Sequence, residues 1–164
     1  MVPLVTIGVC VRNCEDYIKE AIESILSQDF PHELMEIIFV DDGSQDDTLS
    51  IIRERISQTD ISAKVFHSSW RGLGHSRNTV AANAQGNYVL WVDGDMVLST
   101  DFVRKLVEFM ERHPKIGIAK GRQALKHGTN LLSTLETYSR AAGRMVNYQS
   151  EKGRLKSLGT GGSI

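Results

Sequence analysis

Cysteine is scarce in this 164-residue chain, with Cys10 and Cys14 the only two, and proline is nearly as rare at three. Two cysteines are too few for a disulfide framework or a zinc cage, so the expectation is a pair of reduced thiols in a reducing compartment. No apolar run approaches the ~18 residues needed to cross a bilayer. Met1-Val2-Pro3 runs straight into a predicted strand, without the charged and apolar regions of a secretory leader. These absences predict a cytoplasmic location, at most the cytoplasmic face of a membrane, with any membrane association supplied by sequence beyond this chain. Neither sign of charge dominates: the net charge is −1 and no dense basic stripe occurs, which disfavours nucleic acid as a partner. The signatures of several nucleotide and hydrolase sites are missing too. There is no G-x-G-x-x-G, no P-loop, no G-x-S-x-G elbow and no H-E-x-x-H pair. His67 and His75 lack partners at ligand spacing and read as surface or packing residues.

What is present is a strict alternation of apolar runs and amphipathic stretches. Strands are predicted at Leu4–Val11, Glu36–Val40, Ala63–His67, Tyr88–Val92 and Ile116–Gln123. Between them, Asn13 is expected to cap a helix carrying Tyr17, Ile18, Ala21, Ile22, Ile25 and Leu26 on one face, ended by Phe30-Pro31. Ser44 and Asp47 resemble a capping box for a second helix through about Ile56. Gly72–Ala84 reads as a helix whose alanines pack closely on a sheet, broken at Gly86. Thr100 is expected to cap a helix with Phe102, Val103, Leu106, Val107 and Met110 on one face, stopped by His113-Pro114. Thr129 to about Asn147 is a weakly patterned helix, and Ser157–Ile164 is Gly-rich. Strand–helix alternation predicts an α/β fold: a mostly parallel sheet flanked by helices on both faces, in a single domain over 1–164.

Two acidic clusters stand where such a sheet binds ligands. Asp41-Asp42 directly follows the second strand, and Asp93-Gly94-Asp95 follows the fourth, which reads as a buried strand. In a parallel sheet both lie at the carboxyl edge, the usual ligand crevice. Four carboxylates crowded there would raise one another's pKa unless a cation discharged them. A hard divalent ion, Mn2+ or Mg2+, shared with a phosphate-bearing substrate is the natural counterweight. Each cluster alone has a plainer explanation, helix capping for the first and a turn for the second. Their joint placement makes the plain explanations weaker.

Five segments in order carry a resemblance to family 2 glycosyltransferases. Val5-Thr6-Ile7-Gly8-Val9 through Arg12-Asn13-Cys14-Glu15-Asp16-Tyr17-Ile18 looks like the family's opening, and Ala21 to Gln28 like its first helix. Val40-Asp41-Asp42-Gly43-Ser44-Gln45-Asp46-Asp47-Thr48 is similar to the family's V-D-D-G-S-x-D-x-T segment. Gly72-Leu73-Gly74-His75-Ser76-Arg77-Asn78 resembles G-x-x-x-A-R-N, and Gly86 to Asp95 resembles G-x-Y-x-x-x-x-D-x-D. The resemblance implies a GT-A fold with a Rossmann-like nucleotide-binding half, and metal-dependent, inverting transfer of a sugar from a nucleoside-diphosphate donor, UDP- or GDP-linked. The acceptor would be a glycan or a lipid-linked group. It further implies that Cys10 and Arg12 touch base and ribose, that Asp42 accepts a hydrogen bond from the base, and that Arg77 lies near the nucleotide. By the same resemblance, Asp93 lies near ribose and metal, and Asp95 ligates the metal. The family often has an aromatic residue where Arg12 stands.

Members of that family carry their acceptor side, with the general base, after a segment like Gly159-Thr160-Gly161-Gly162-Ser163-Ile164. The expectation is therefore a nucleotide-binding part whose base lies beyond Ile164; Glu136 and Asp101 are available carboxylates that nothing in the sequence places at the reaction. Three other readings stay open at this point. One is a nucleotide-sugar binder with little turnover. The second is a nucleotidyltransferase, which normally has a Gly-rich basic loop that Cys10–Asn13 does not supply. The third is a phosphoacceptor domain, suggested by the aspartates and Lys120 but normally acidic after its first strand.

Overall fold

The computed structural model describes residues 2–121. Four strands, β1 (Val5–Val11), β2 (Met35–Asp42), β3 (Ser62–Ser68) and β4 (Tyr88–Asp93), form one sheet in the order β3-β2-β1-β4. Every neighbouring pair is parallel. The helices are α1 (Glu15–Leu26), α2 (Thr48–Ile56), α3 (Leu73–Asn83) and α4 (Phe102–Arg112), with a short 3-10 turn at His32–Leu34. This is the α/β architecture that strand–helix alternation predicts.

The central strands are apolar at nearly every position because both of their faces are covered. On one face Ile7, Val9, Ile37, Phe39 and Val92 pack with Ile18, Ile22 and Ile25 of α1, Ile52 of α2, and Val103 and Val107 of α4. On the other, Ile38 and Val40 meet Val80 of α3. Helices therefore lie on both faces of the sheet. Burying a side chain the size of Phe39 contributes roughly 2–3 kcal/mol of transfer free energy, and Phe39 is fully buried.

Several local expectations differ from the structure. The residue capping α1 is Cys14, and Asn13 adopts φ 49° instead of capping. Ser44 and Asp47 form no capping box; α2 is preceded by Asp47 without a side-chain cap. Asp101, not Thr100, precedes α4, and the first-turn amide of Val103 donates at 2.9 Å to Oε1 of Gln28, which lies just past the end of α1. A cap borrowed from a distant segment leaves no local sequence signal. In α3 the sheet contact is made by Ser76 and Val80, while Ala81 and Ala82 are exposed. β4 is an edge strand among the described residues, so Val89 and Trp91 remain about two-fifths exposed where a buried strand is expected. No strand forms over 116–121; the rest of that predicted strand, the helix at Thr129–Asn147 and the tail at Ser157–Ile164 lie outside the described residues.

Candidate functional site

Parallel pairing brings the carboxyl ends of β2, β1 and β4 to one rim. Val11 is level with Asp41, and Cys10 is level with both Val40 and Asp93. Both acidic clusters therefore occupy the same edge of the sheet, on either side of β1. Two strand spacings separate β2 from β4, about 10 Å. Among the described residues no group of three or more His, Cys, Asp or Glu is gathered to hold a metal, so the two clusters do not form one four-carboxylate site.

The first cluster is instead committed to building the rim. Successive strand residues point to opposite faces, and Asp41 and Asp42 do different things. Asp41 is fully buried, and its Oδ2 lies 2.7 Å from His67 Nδ1 on β3. Its Oδ1 accepts the Ser44 hydroxyl and the Ser44 amide. His67 thus has a partner that its isolation in sequence concealed. Asp42, also buried, accepts the Arg71 amide on Oδ1 and the Gly72 amide on Oδ2, each at 2.7 Å. These bonds fix the loop between β3 and α3. Gly43, at φ 74°, brings the turn after β2 so close to this loop that a Cβ there would lie 2.7 Å from the Trp70 amide nitrogen.

The loops after β1 and β2 interlock through reciprocal bonds. The Asn13 amide donates to Ser44 Oγ at 2.9 Å, and Asn13 Oδ1 accepts the Gln45 amide at 2.8 Å. The Cys14 amide donates to Thr48 Oγ1 at 2.8 Å. The Glu15 amide donates to Asp46 Oδ2, while Glu15 Oε2 accepts the Asp47 amide. The polar residues of the Asp41–Thr48 segment thus hold the orphan amides at the start of α1, in place of side chains from α1's own cap. Burial alone opposes ionisation of Asp46, but the bonds from Thr48 and Glu15 hold its carboxyl below the usual range.

The second cluster is arranged differently. Asp93 and Asp95 are exposed, and among the described residues neither carboxylate accepts a hydrogen bond or joins an ion pair. Gly94 between them is buried: a Cβ there would sit 2.8 Å from Val11 Cγ1 and 3.1 Å from Cys14 Sγ. Glycine is needed here for close approach, which seats the acidic turn against the end of β1. The chain beyond is pinned to α1, since Leu98 donates to Ser24 Oγ, and Gln28 Nε2 donates to Ser99 O at 2.8 Å.

A cleft of about 220 Å³ opens between the end of β1, the start of α1 and the turn after β4, lined by Cys10, Val11, Arg12, Cys14, Tyr17, Gly94 and Asp95. Burial pushes the Cys10 thiol up to about 11; Arg77 pulls it down, while Asp93 and Asp42 push it further up. The charges of Arg77, Asp93 and Asp42 therefore all converge on one strand end. Burial likewise pushes Cys14 up to about 11, against the Thr48 hydroxyl and with Asp46, Asp41 and Asp95 adding to the rise. Both thiols stay protonated at neutral pH and serve as cleft wall, not as nucleophiles. The Arg12 guanidinium stands 4.7 Å from the Trp70 ring centroid, and Arg77 stands 5.7 Å from that of Trp91. Trp70 was not singled out by the sequence pattern; Tyr17 was placed in the apolar helical stripe but is 60% exposed and lines the cleft.

Two free carboxylates on a rigid turn are a fitting, though partial, donor set for a hard divalent ion, which takes its remaining ligands from phosphate and water. Among the described residues no group of three or more His, Cys, Asp or Glu is placed to hold a metal by itself. Asp101 pairs with Lys105 and accepts the Ser99 hydroxyl, so it is occupied at the start of α4. Glu136 lies outside the described residues.

Comparison with known proteins places this geometry in a family. The family model described as glycosyl transferase family 2 matches residues 6–162. The poly(ribitol-phosphate) beta-N-acetylglucosaminyltransferase TarS of Staphylococcus aureus is 32% identical over 101 residues, covering 62% of this chain and 18% of that protein. The uncharacterized glycosyltransferase EpsJ of Bacillus subtilis is 37% identical over 113 residues, covering 69% of this chain and 32% of EpsJ. In three dimensions the chain is similar to residues 1–349 of TarS in complex with UDP, with a TM-score of 0.62, 28% identity, and coverage of 74% and 38%. It is also similar to the mannosyltransferase PcManGT of Pyrobaculum calidifontis in complex with GDP-Man and Mn2+, with a TM-score of 0.63, 28% identity, and coverage of 67% and 33%. The chain thus spans between about a fifth and two-fifths of these relatives. With a GT-A-type parallel sheet, a carboxyl-edge cleft and a family match over nearly its whole length, the chain belongs to glycosyl transferase family 2.

Proposed function

We propose that this chain binds a nucleoside-diphosphate sugar, UDP- or GDP-linked, and takes part in transferring its sugar to an acceptor hydroxyl or phosphate on a glycan or lipid-linked molecule. The observation that carries this reading is the rim itself: the Asp42 clamp and the free Asp93-Gly94-Asp95 turn flank β1 on one edge, and a cleft opens where the end of β1 and the start of α1 meet that turn. The relatives solved with UDP and with GDP-Man and Mn2+ support a donor of this class.

In this reading the base lies toward Asp42, and Cys10 and Arg12 face the base and ribose. Each Asp42 oxygen already accepts one loop amide and keeps a second lone pair for a base N–H. The diphosphate lies toward the acidic turn, with Asp93 near ribose and metal, and Asp93 and Asp95 would hold the Mn2+ or Mg2+. When bound there, the cation supplies charge neutralisation for the diphosphate as it departs. Arg77 adds a fixed positive charge near the same strand end. Transfer with inversion is a direct displacement: the acceptor oxygen bonds to the anomeric carbon as the sugar–phosphate oxygen bond breaks. The acceptor proton goes to a base, which we place outside residues 2–121, because the carboxylates of the rim are committed to donor and metal.

The test is a titration of UDP and GDP against the chain with and without Mn2+, run beside a donor hydrolysis and transfer assay. Mn2+-dependent binding is expected for at least one nucleotide. Binding without turnover would identify a donor-binding unit. Absence of any nucleoside-diphosphate binding in Mn2+ would overturn the proposal.

A further inference from the structure

We propose that Trp70, backed by Arg12, is the platform on which the donor's nucleobase stacks. The proposal rests on the nucleotide-sugar reading above and assigns the face that recognises the base.

Trp70 is 66% exposed, a large aromatic surface left in water on a loop. Its position is nonetheless fixed. The next two amides, Arg71 and Gly72, donate to the buried Asp42 carboxylate, and the Trp70 amide abuts Gly43. A rigid loop that holds an exposed indole is preorganised for a ligand, since ordering costs are already met. The indole is also engaged on one side: Arg12 stands 4.7 Å from its centroid, and Arg12 lines the cleft. Guanidinium and indole planes are both side-chain surfaces on which bases stack. Here they occur as one cationic–aromatic unit, whose Arg12 lines the cleft.

Placement favours the base over the sugar. A base needs a flat surface for its face and a polar group for its edge. The Asp42 carboxylate that bonds the two residues after Trp70 supplies the second. The acidic turn that suits the diphosphate follows β4, across β1 from this unit. In a nucleoside diphosphate, ribose and first phosphate likewise stand between the base and the metal-bound end.

The experiment compares Trp70→Ala, Trp70→Phe and Arg12→Ala with wild type, using calorimetric titration in Mn2+. The ligands are the nucleoside diphosphate that binds wild type best, its nucleotide-sugar, and inorganic pyrophosphate. Trp70→Ala is expected to weaken the nucleoside diphosphate about tenfold or more, leaving pyrophosphate unchanged, with Trp70→Phe recovering most of the loss. In Trp91→Phe, Trp70 is the only tryptophan left, and its fluorescence is expected to change on adding nucleotide but not pyrophosphate. Equal nucleoside-diphosphate affinity in wild type and Trp70→Ala would overturn the platform while leaving the donor reading intact. A loss confined to the nucleotide-sugar would overturn it in favour of sugar stacking. Failure of wild type to bind any nucleoside diphosphate would overturn both.

Discussion

Replacing Asp42 by Asn tests the link between the rim's construction and its binding role. Each Asp42 oxygen accepts one backbone amide at 2.7 Å, and the residue is 5% exposed. Asparagine keeps one acceptor and turns an NH2 toward the other amide, so one charge-assisted bond is lost and two donors face each other. A hydrogen bond to a charged group is worth about 1.5–3 kcal/mol, and a buried donor left unmet adds to its loss. The expected destabilisation is therefore about 2–4 kcal/mol, which lowers Tm by roughly 5–12 °C for a chain of this size. Thermal melting followed by far-ultraviolet circular dichroism reads it directly. The same variant should bind nucleoside diphosphate more weakly and pyrophosphate unchanged, because the loop carrying Trp70 is loosened while the acidic turn is not. A Tm within about 1 °C of wild type would refute the clamp, since the bonds would then contribute nothing net.

Glu36 is buried, and it accepts Thr6 Oγ1 at 2.6 Å, the Gln85 amide at 2.5 Å and Lys64 Nζ at 3.4 Å. Burial pushes its carboxyl up, but these bonds outweigh burial and hold it below the usual range. Its stabilisation is thus complete above the unfolded value of about 4.3 and is lost as pH falls through the lower folded value. Urea midpoints measured from neutral to acid pH should show Glu36→Gln closing on wild type as acid is added; a constant gap would contradict this. Gly94→Ala places a Cβ 2.8 Å from Val11 Cγ1, an overpacking worth about 1–3 kcal/mol. It should also displace the acidic turn and reduce Mn2+-dependent nucleotide affinity, and wild-type behaviour in both denaturation and titration would count against the close seating.

Strand positions were legible because β1 and β2 are covered on both faces and read as continuous apolar runs; β4 carries a similar run although it is partly exposed, and acidic residues mark the carboxyl ends of β2 and β4. β2 and β4 extend slightly further than their apolar runs, so that Asp41, Asp42 and Asp93 are strand residues rather than residues after a strand. Connections made through space were not legible. The amides at the start of α1 are held by Ser44, Asp46 and Thr48, more than thirty residues away. The cap of α4 comes from Gln28, and the partner of Asp41 is His67 on another strand. The alanines of α3 misled because small size alone does not say which face meets the sheet. The idea of four carboxylates around one ion failed for a geometric reason, since β1 runs between the two clusters and the first is consumed by local bonds.

The central claim is that the turn after β4 holds a divalent cation against the donor's diphosphate, and Asp95→Ala tests it most directly. Asp95 is exposed and has no hydrogen-bond or ion-pair partner among the described residues, so the variant should melt like wild type. Titration of the nucleoside diphosphate with and without Mn2+ should show the Mn2+-dependent gain in affinity abolished. An undiminished gain in a folded Asp95→Ala variant would contradict the account.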